Sequence, residues 1–349
     1  MVFLYIVFFI FCIAAEESSL SQKKAFLGLS MFALTLMAAF RTPEMWSDSY
    51  GYWGFFVQST PTLADYSITD VPIGYTDRGY YFLSVLVKTF TSNYVVFFFV
   101  VAALGYYFVY KGILKFSAFP LFALALYISR FTLGRQFIQM RAGIALSIVF
   151  WGLQYVTKKD LKRFLIAIGV AFLFHSSVLL ALPLYWMNKI RIKRKHIYWG
   201  IAISYVLAAF FTPVIRSYIA DSTADIEVAV NYTREQNAYK SAGVGLANPM
   251  VYYQTLVLLI FTYYERRLSR YTKHYITLRN AYFFSTAFLI IFSSYAILSG
   301  RGSTVLATVE IVIVPLFVHL FDKRNKYFAY VLIGIFSAVW FYLNYTRRF

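Results

Sequence analysis

Long apolar runs recur from one end of this chain to the other, separated by short basic stretches or longer aromatic and polar ones. Such runs leave few folds open. Inside hydrocarbon every backbone N–H and C=O must be satisfied within the segment or a closed sheet, so only helices and closed barrels remain. No run alternates with period two over ten residues, which excludes an outer-membrane barrel pattern. Composition agrees: 60% of residues are hydrophobic and 14% charged, against about 45–50% and 25% in soluble domains. The fold class expected is an all-α polytopic membrane protein.

The expected helices are residues 1–15, 25–40, 94–110, 119–128, 135–156, two short helices within 164–188 meeting at His175, 197–218, 250–264, 281–299, 304–321 and 327–345. That makes about twelve spans in one integral membrane domain, 1–349, with no internal repeat or soluble domain. The apolar start lacks the basic n-region of a signal peptide and is taken as the first span. Two long polar segments interrupt the pattern, 41–93 and 221–248. In the first, Ser47–Gln58 and Arg78–Phe90 have the character of interfacial helices. Most of the 33 Lys and Arg fall in alternate connections, 16–24, 111–115, 157–163, 189–195, 265–279 and 322–326. The positive-inside rule makes those cytoplasmic, with the N-terminus and both polar loops outside. The net charge of +18 is thereby explained without nucleic acid. Cys12, the single cysteine, lies in an apolar run and reads as packing.

The most unusual stretch is Ser129–Arg141, which carries Arg130, Arg135, Arg141, Gln136 and Gln139 and no acid. Guanidinium groups at membrane depth face a partner or a cavity. Arg135 is expected to open the fifth helix, where unsatisfied N–H groups and the dipole favour an anion. Gln139, four residues on, would share its face, and Arg141 would lie about 9 Å deeper. Planar guanidinium binds phosphate bidentately, so phosphate is the natural anion. Gly300-Arg301-Gly302 is expected to form an outer turn bringing another guanidinium to the same level. Glu310, two turns into the next helix, is expected to pair with an arginine, Arg141 being at similar depth. His175 suits proton transfer near neutral pH, although a lone histidine in an apolar run is more often a core residue. Asp48 and Tyr50 sit in an aromatic run suited to carbohydrate, Trp46 to Trp53. Asp77-Arg78 opens the next amphipathic piece, and either acid is a candidate proton acceptor or a plain solvated loop carboxylate. Gly243-x-Gly245 lacks a third glycine and is no nucleotide fingerprint. No histidines have metal-ligand spacing.

Arg41 with Asp48-x-Tyr50, Arg135-Gln136 with Arg141, the Phe174-His175-Ser176-Ser177 break, and Arg301 followed by Pro315 together give the chain its family likeness. In that order and setting they resemble the EpsG-like or Wzy-type polysaccharide polymerases of bacterial inner membranes. The resemblance implies a GT-C-like membrane glycosyltransferase architecture. It implies O-antigen or capsule repeat units joined on undecaprenyl pyrophosphate at the periplasmic or outer face, without cofactor or metal. It also implies a partner protein that regulates chain length. His175, Asp48, Arg135 and Arg141 would then be catalytic. Arg301, Gln136, Gln139, Arg130, Asp77, Arg78 and Tyr50 would bind substrate. Two rivals share the composition. A lipid-linked oligosaccharide flippase should line a path to both leaflets, whereas the polar groups here favour one face. A membrane acyltransferase should show a polar donor site on the cytoplasmic side, and none is evident.

Overall fold

The computed structural model describes residues 2–45, 47–67, 69, 77–190, 192–221 and 245–346; the side chains of 47, 211–221, 296 and 297 are also outside the description. Most of the second polar loop, including Gly243, and Asp70 of the first therefore lie outside the described residues. Among those described, all regular structure is helical. Two helices are long and apolar enough to cross a bilayer, Tyr94–Phe116 and Lys323–Thr346, and the broken pair Leu298–Ala307 with Glu310–Leu320 qualifies as a third. This is a helical membrane protein. Several other expected spans appear as shorter apolar helices, Val2–Glu16, Ser176–Met187 and Pro249–Tyr263 among them.

The chain divides into two compact units, Met1–Leu179 with Ile311–Phe349, and Leu180–Glu310. The first contains α1 (Val2–Glu16), α2 (Leu20–Ala39), α3 (Ser47–Gly54), α4 (Arg78–Phe90), α5 (Tyr94–Phe116), α6 (Pro120–Tyr127), α7 (Met140–Thr157) and α8 (Leu161–Phe172). Its core forms where α5 packs on α2 and α7, and α7 on α8. Polar anchors fix the helix ends. Buried Glu16, the last residue of α1, accepts the Leu121 N–H at 2.8 Å and pairs with Lys23 at 3.1 Å. A carboxylate at the start of α6 satisfies an orphan donor and complements the dipole.

Three expectations change here. First, α6 does not stop at Ile128. It continues to Ile138 as a wide π-helical stretch, closed by the Gln139 N–H bonding the Gly134 carbonyl at 2.9 Å. Arg135 therefore sits inside a helix, and α7 begins only at Met140. Two bonds at Ser129, one local and one from the far end of the chain, account for the loosened ladder. The Ser129 carbonyl accepts from Asn344 at 2.8 Å, and the Ser129 hydroxyl bonds back to the Leu126 carbonyl at 3.1 Å. Such diversions of backbone groups open a helix.

The second unit holds a short α9 (Pro183–Met187), then α10 (Arg194–Asp221), α11 (Pro249–Tyr263), α12 (Tyr275–Ile291) and α13 (Ala296–Ala307); α14 (Glu310–Leu316) starts at its boundary. The second change is that Gly300-Arg301-Gly302 lies within α13 rather than in a turn. The reversal comes earlier, where Ser293 and Tyr295 N–H groups bond the Ile290 and Phe292 carbonyls. Gly302 serves packing: the Phe288 ring occupies the place its Cβ would take. Third, Glu310 is not two turns into a helix but the first residue of α14, after a break at Thr308–Val309. The dipole favours an acid at that position. α15 (Lys326–Thr346) returns to the first unit and packs on α1 and the π stretch.

Candidate active site

The site is built on α3. Ser49 and Tyr52 of α3 and Phe56 of the π turn that extends it, Phe55–Ser59, fall at helical spacing, and these three are buried while Asp48 and Tyr50 are exposed. Arg41 reaches it from the end of α2. It is 6% exposed, its Nε donates to Ser49 Oγ at 3.2 Å, and its guanidinium lies 4.0 Å from the Phe98 ring centre. Its other nitrogens meet the Ala38 carbonyl and, at 2.7 Å, Met140 Sδ. Ser49 in turn donates to the Phe137 carbonyl. Arg41 thus clamps α3 against the end of the π stretch.

Arg141, in the first turn of α7, holds the other end of α3. Its Nε donates to the Tyr52 hydroxyl at 3.2 Å and its Nη1 meets Asp77 Oδ2 at 2.7 Å. The charged pair is partly buried, with side-chain exposures of 23% and 11%. Burial raises the Tyr52 phenol's pKa, Arg141 opposes that, and the charges of Asp48 and Asp77 push it up further. A phenol, a guanidinium and two carboxylates therefore act on one another here. Arg141 meets the Asp77 carboxylate in the first unit, and within the second unit Glu310 accepts the Tyr282 hydroxyl at 2.9 Å.

Asp77 immediately precedes α4. Two residues on, the Gly79 N–H donates to the Leu173 carbonyl at 2.8 Å. A Cβ on Gly79 would lie 2.5 Å from Leu173 Cβ and 2.7 Å from its oxygen, so only glycine permits this approach. Leu173 belongs to the break between α8 and the 3-10 turn Ser176–Ala181. The break lies at His175, as the sequence indicates, and Gly79 joins it to the Asp77 segment. His175 is partly buried. Its Nδ1 accepts the Ser177 backbone N–H at 3.2 Å and contacts Ser177 Oγ at 2.8 Å. A backbone amide can only donate, so the neutral ring carries its proton on Nε2.

Along the π stretch, Arg135 is 4% exposed and its guanidinium stacks 4.2 Å from the Phe131 ring centre. Gln136 is fully buried, and its Nε2 donates to the Tyr127 hydroxyl at 3.2 Å. Its Oε1 has no hydrogen-bond partner among the described residues. Arg130 lies over Trp340 of α15 at 4.2 Å. Gln139 caps the stretch with non-helical torsions, so it shares no helical face with Arg135. Arg78, which opens α4, is exposed, as is Arg301 on α13 in the second unit.

Asp48, Asp77, Tyr52 and Arg141 are thus brought together, with His175 linked through Gly79. Two contributors escaped the sequence reading. Tyr52 was one aromatic among many. Arg41 marked the segment but had no assigned role, because its partners Phe98, Phe137 and Met140 are remote in sequence.

The family model described as "EpsG family" matches residues 24–348. No curated protein and no solved structure matches the chain.

Proposed function

Since the chain belongs to the EpsG family, we propose that it is a membrane polysaccharide polymerase that joins oligosaccharide repeat units carried on undecaprenyl pyrophosphate. The observation that carries this reading is the Arg141–Asp77–Tyr52 cluster, with Asp48 beside it and His175 tied to it through Gly79. In the proposed reaction an acceptor hydroxyl attacks the anomeric carbon of the donor glycan. The new glycosidic C–O bond forms as the bond to the pyrophosphate breaks. The hydroxyl proton passes to a carboxylate. Asp77 is suited to this because Arg141 fixes Oδ2 and orients the group; exposed Asp48 is the second candidate. The Nε2–H of His175 is a donor, which suits it to hold a substrate oxygen. Arg135 and Arg141 supply positive charge for the departing diphosphate, the kind of electrostatic assistance that usually dominates such sites. The exposed Tyr50 ring, 5.4 Å from Trp53, offers a stacking surface for sugar. The proposal includes about twelve crossings of the bacterial inner membrane, a GT-C-like architecture and a site facing the periplasm or exterior.

The test is incubation of purified full-length protein with a defined lipid-linked repeat unit. A ladder of products is expected, and Arg135→Ala should abolish it at unchanged protein level. Wild-type protein that yields no ladder, or Arg135→Ala that keeps full chain length, overturns the assignment.

A further inference from the structure

The most basic stretch of the chain, 189–195, has no part in that reaction. In the second unit it is stitched to another basic segment, 264–274. Arg279, 1% exposed, donates to the Ile192 carbonyl at 2.6 Å and pairs with Glu265 at 3.2 Å. Arg194 meets the same carboxylate at 3.6 Å and the Tyr263 carbonyl at 3.4 Å. Asn188 joins α12 through Thr277 at 3.2 Å and Asn280 at 3.3 Å. The two connections therefore form one braced surface.

Its charge is lopsided. Glu265 is shared by Arg194 and the buried Arg279. Lys193, Lys195, Arg266, Arg267, Arg270 and Lys273 are exposed, and among the described residues none of the six pairs with a carboxylate. Beside them Trp199 and Tyr263 are 69% and 65% exposed. Aromatic rings next to uncompensated cations mark headgroup depth, and anionic headgroups attract such clusters. The buried Arg279 Nε, without a hydrogen-bond partner among the described residues, adds to the positive field behind the surface.

We infer that this surface binds anionic phospholipid headgroups of the leaflet it meets, with the Glu265–Arg194–Arg279 brace holding the cations in place. Full-length protein in zwitterionic detergent would be titrated with phosphatidylglycerol or phosphatidylcholine and bound lipid counted by native mass spectrometry. Phosphatidylglycerol retention should exceed phosphatidylcholine retention, and R266Q/R267Q/R270Q should lower it about tenfold or more. The variant's melting temperature without lipid should match wild type, and K158Q/K159Q/K162Q/R163Q in the first unit should retain phosphatidylglycerol normally. Equal retention of the two lipids, equal retention by the triple variant, or equal loss in the control overturns the inference. Should the triple variant fold poorly, K193Q/K273Q decides the question by the same readout.

Discussion

Gly79→Ala tests the joint between the Asp77 segment and the histidine break. The added methyl would sit 2.5 Å from Leu173 Cβ and 2.7 Å from its oxygen, where carbon atoms prefer about 3.5–4.0 Å. The segments must part by about 1 Å, which stretches the 2.8 Å Gly79–Leu173 bond beyond hydrogen-bonding range. Overpacking costs about 1–3 kcal/mol and the lost bond about 1 kcal/mol. Alanine returns less than about 1 kcal/mol of helix propensity, because the position is in the first turn. Leu173 is 47% exposed, so it yields partly. The net cost is about 1–2 kcal/mol, falling on the joint rather than the core. Membranes from a deletion strain carrying Gly79→Ala should contain near-normal protein, and the surface glycan should be shortened to one or a few repeats. The melting temperature should fall slightly. A full-length glycan at unchanged melting temperature would refute the argument that this contact positions Asp77 and His175.

Asp77→Ala, Arg141→Ala and the double variant should show a coupling of about 1–3 kcal/mol in a thermal-stability cycle; a coupling near zero means the pair holds nothing. Arg141→Lys keeps the charge but cannot reach Tyr52 and Asp77 together, so product ladders should shorten. Glu265→Gln leaves buried Arg279 without its carboxylate and should destabilise the protein by about 2–3 kcal/mol, read as a lower melting temperature. The Glu17 carboxyl is held below its ordinary range, chiefly by hydrogen bonding to Lys326 and then to Tyr330. Its contribution is therefore present above the ordinary glutamate pKa and is lost as pH falls through the folded value. The melting-temperature gap between wild type and Lys326→Met should be small at pH 7 and close below about pH 4; a gap that widens in acid reverses the sign.

Hydropathy alone identified the helical class, and the amphipathic pieces Ser47–Gln58 and Arg78–Phe90 emerge close to α3 with its π extension and to α4. The break at His175 was legible because Ser176-Ser177 interrupts an otherwise apolar run. Two of the errors come from glycine, which carries little local information. Gly134 looked like a helix boundary before Arg135, but the wide stretch runs through it because Asn344, from the far end of the chain, takes the Ser129 carbonyl. Gly300 and Gly302 looked like a turn, yet Gly302 makes room for Phe288. Tyr52 was invisible as a site residue because Arg141, 89 positions away, gives it its role.

The π stretch has a consequence for how this chain tolerates length changes. Each wide turn accommodates a residue that an ordinary α-helix would not hold. Deleting one residue between Ile128 and Ile138 would let the segment tighten without breaking it. The segments on either side would keep nearly their phase about the axis, whereas the same deletion in an ordinary α-helix turns everything after it by about 100°. A deletion in a surface loop shortens a connection; here the helix itself would absorb the loss, and the arginine-bearing wall would still face α3 with the hydropathy profile and the charge balance almost as they were.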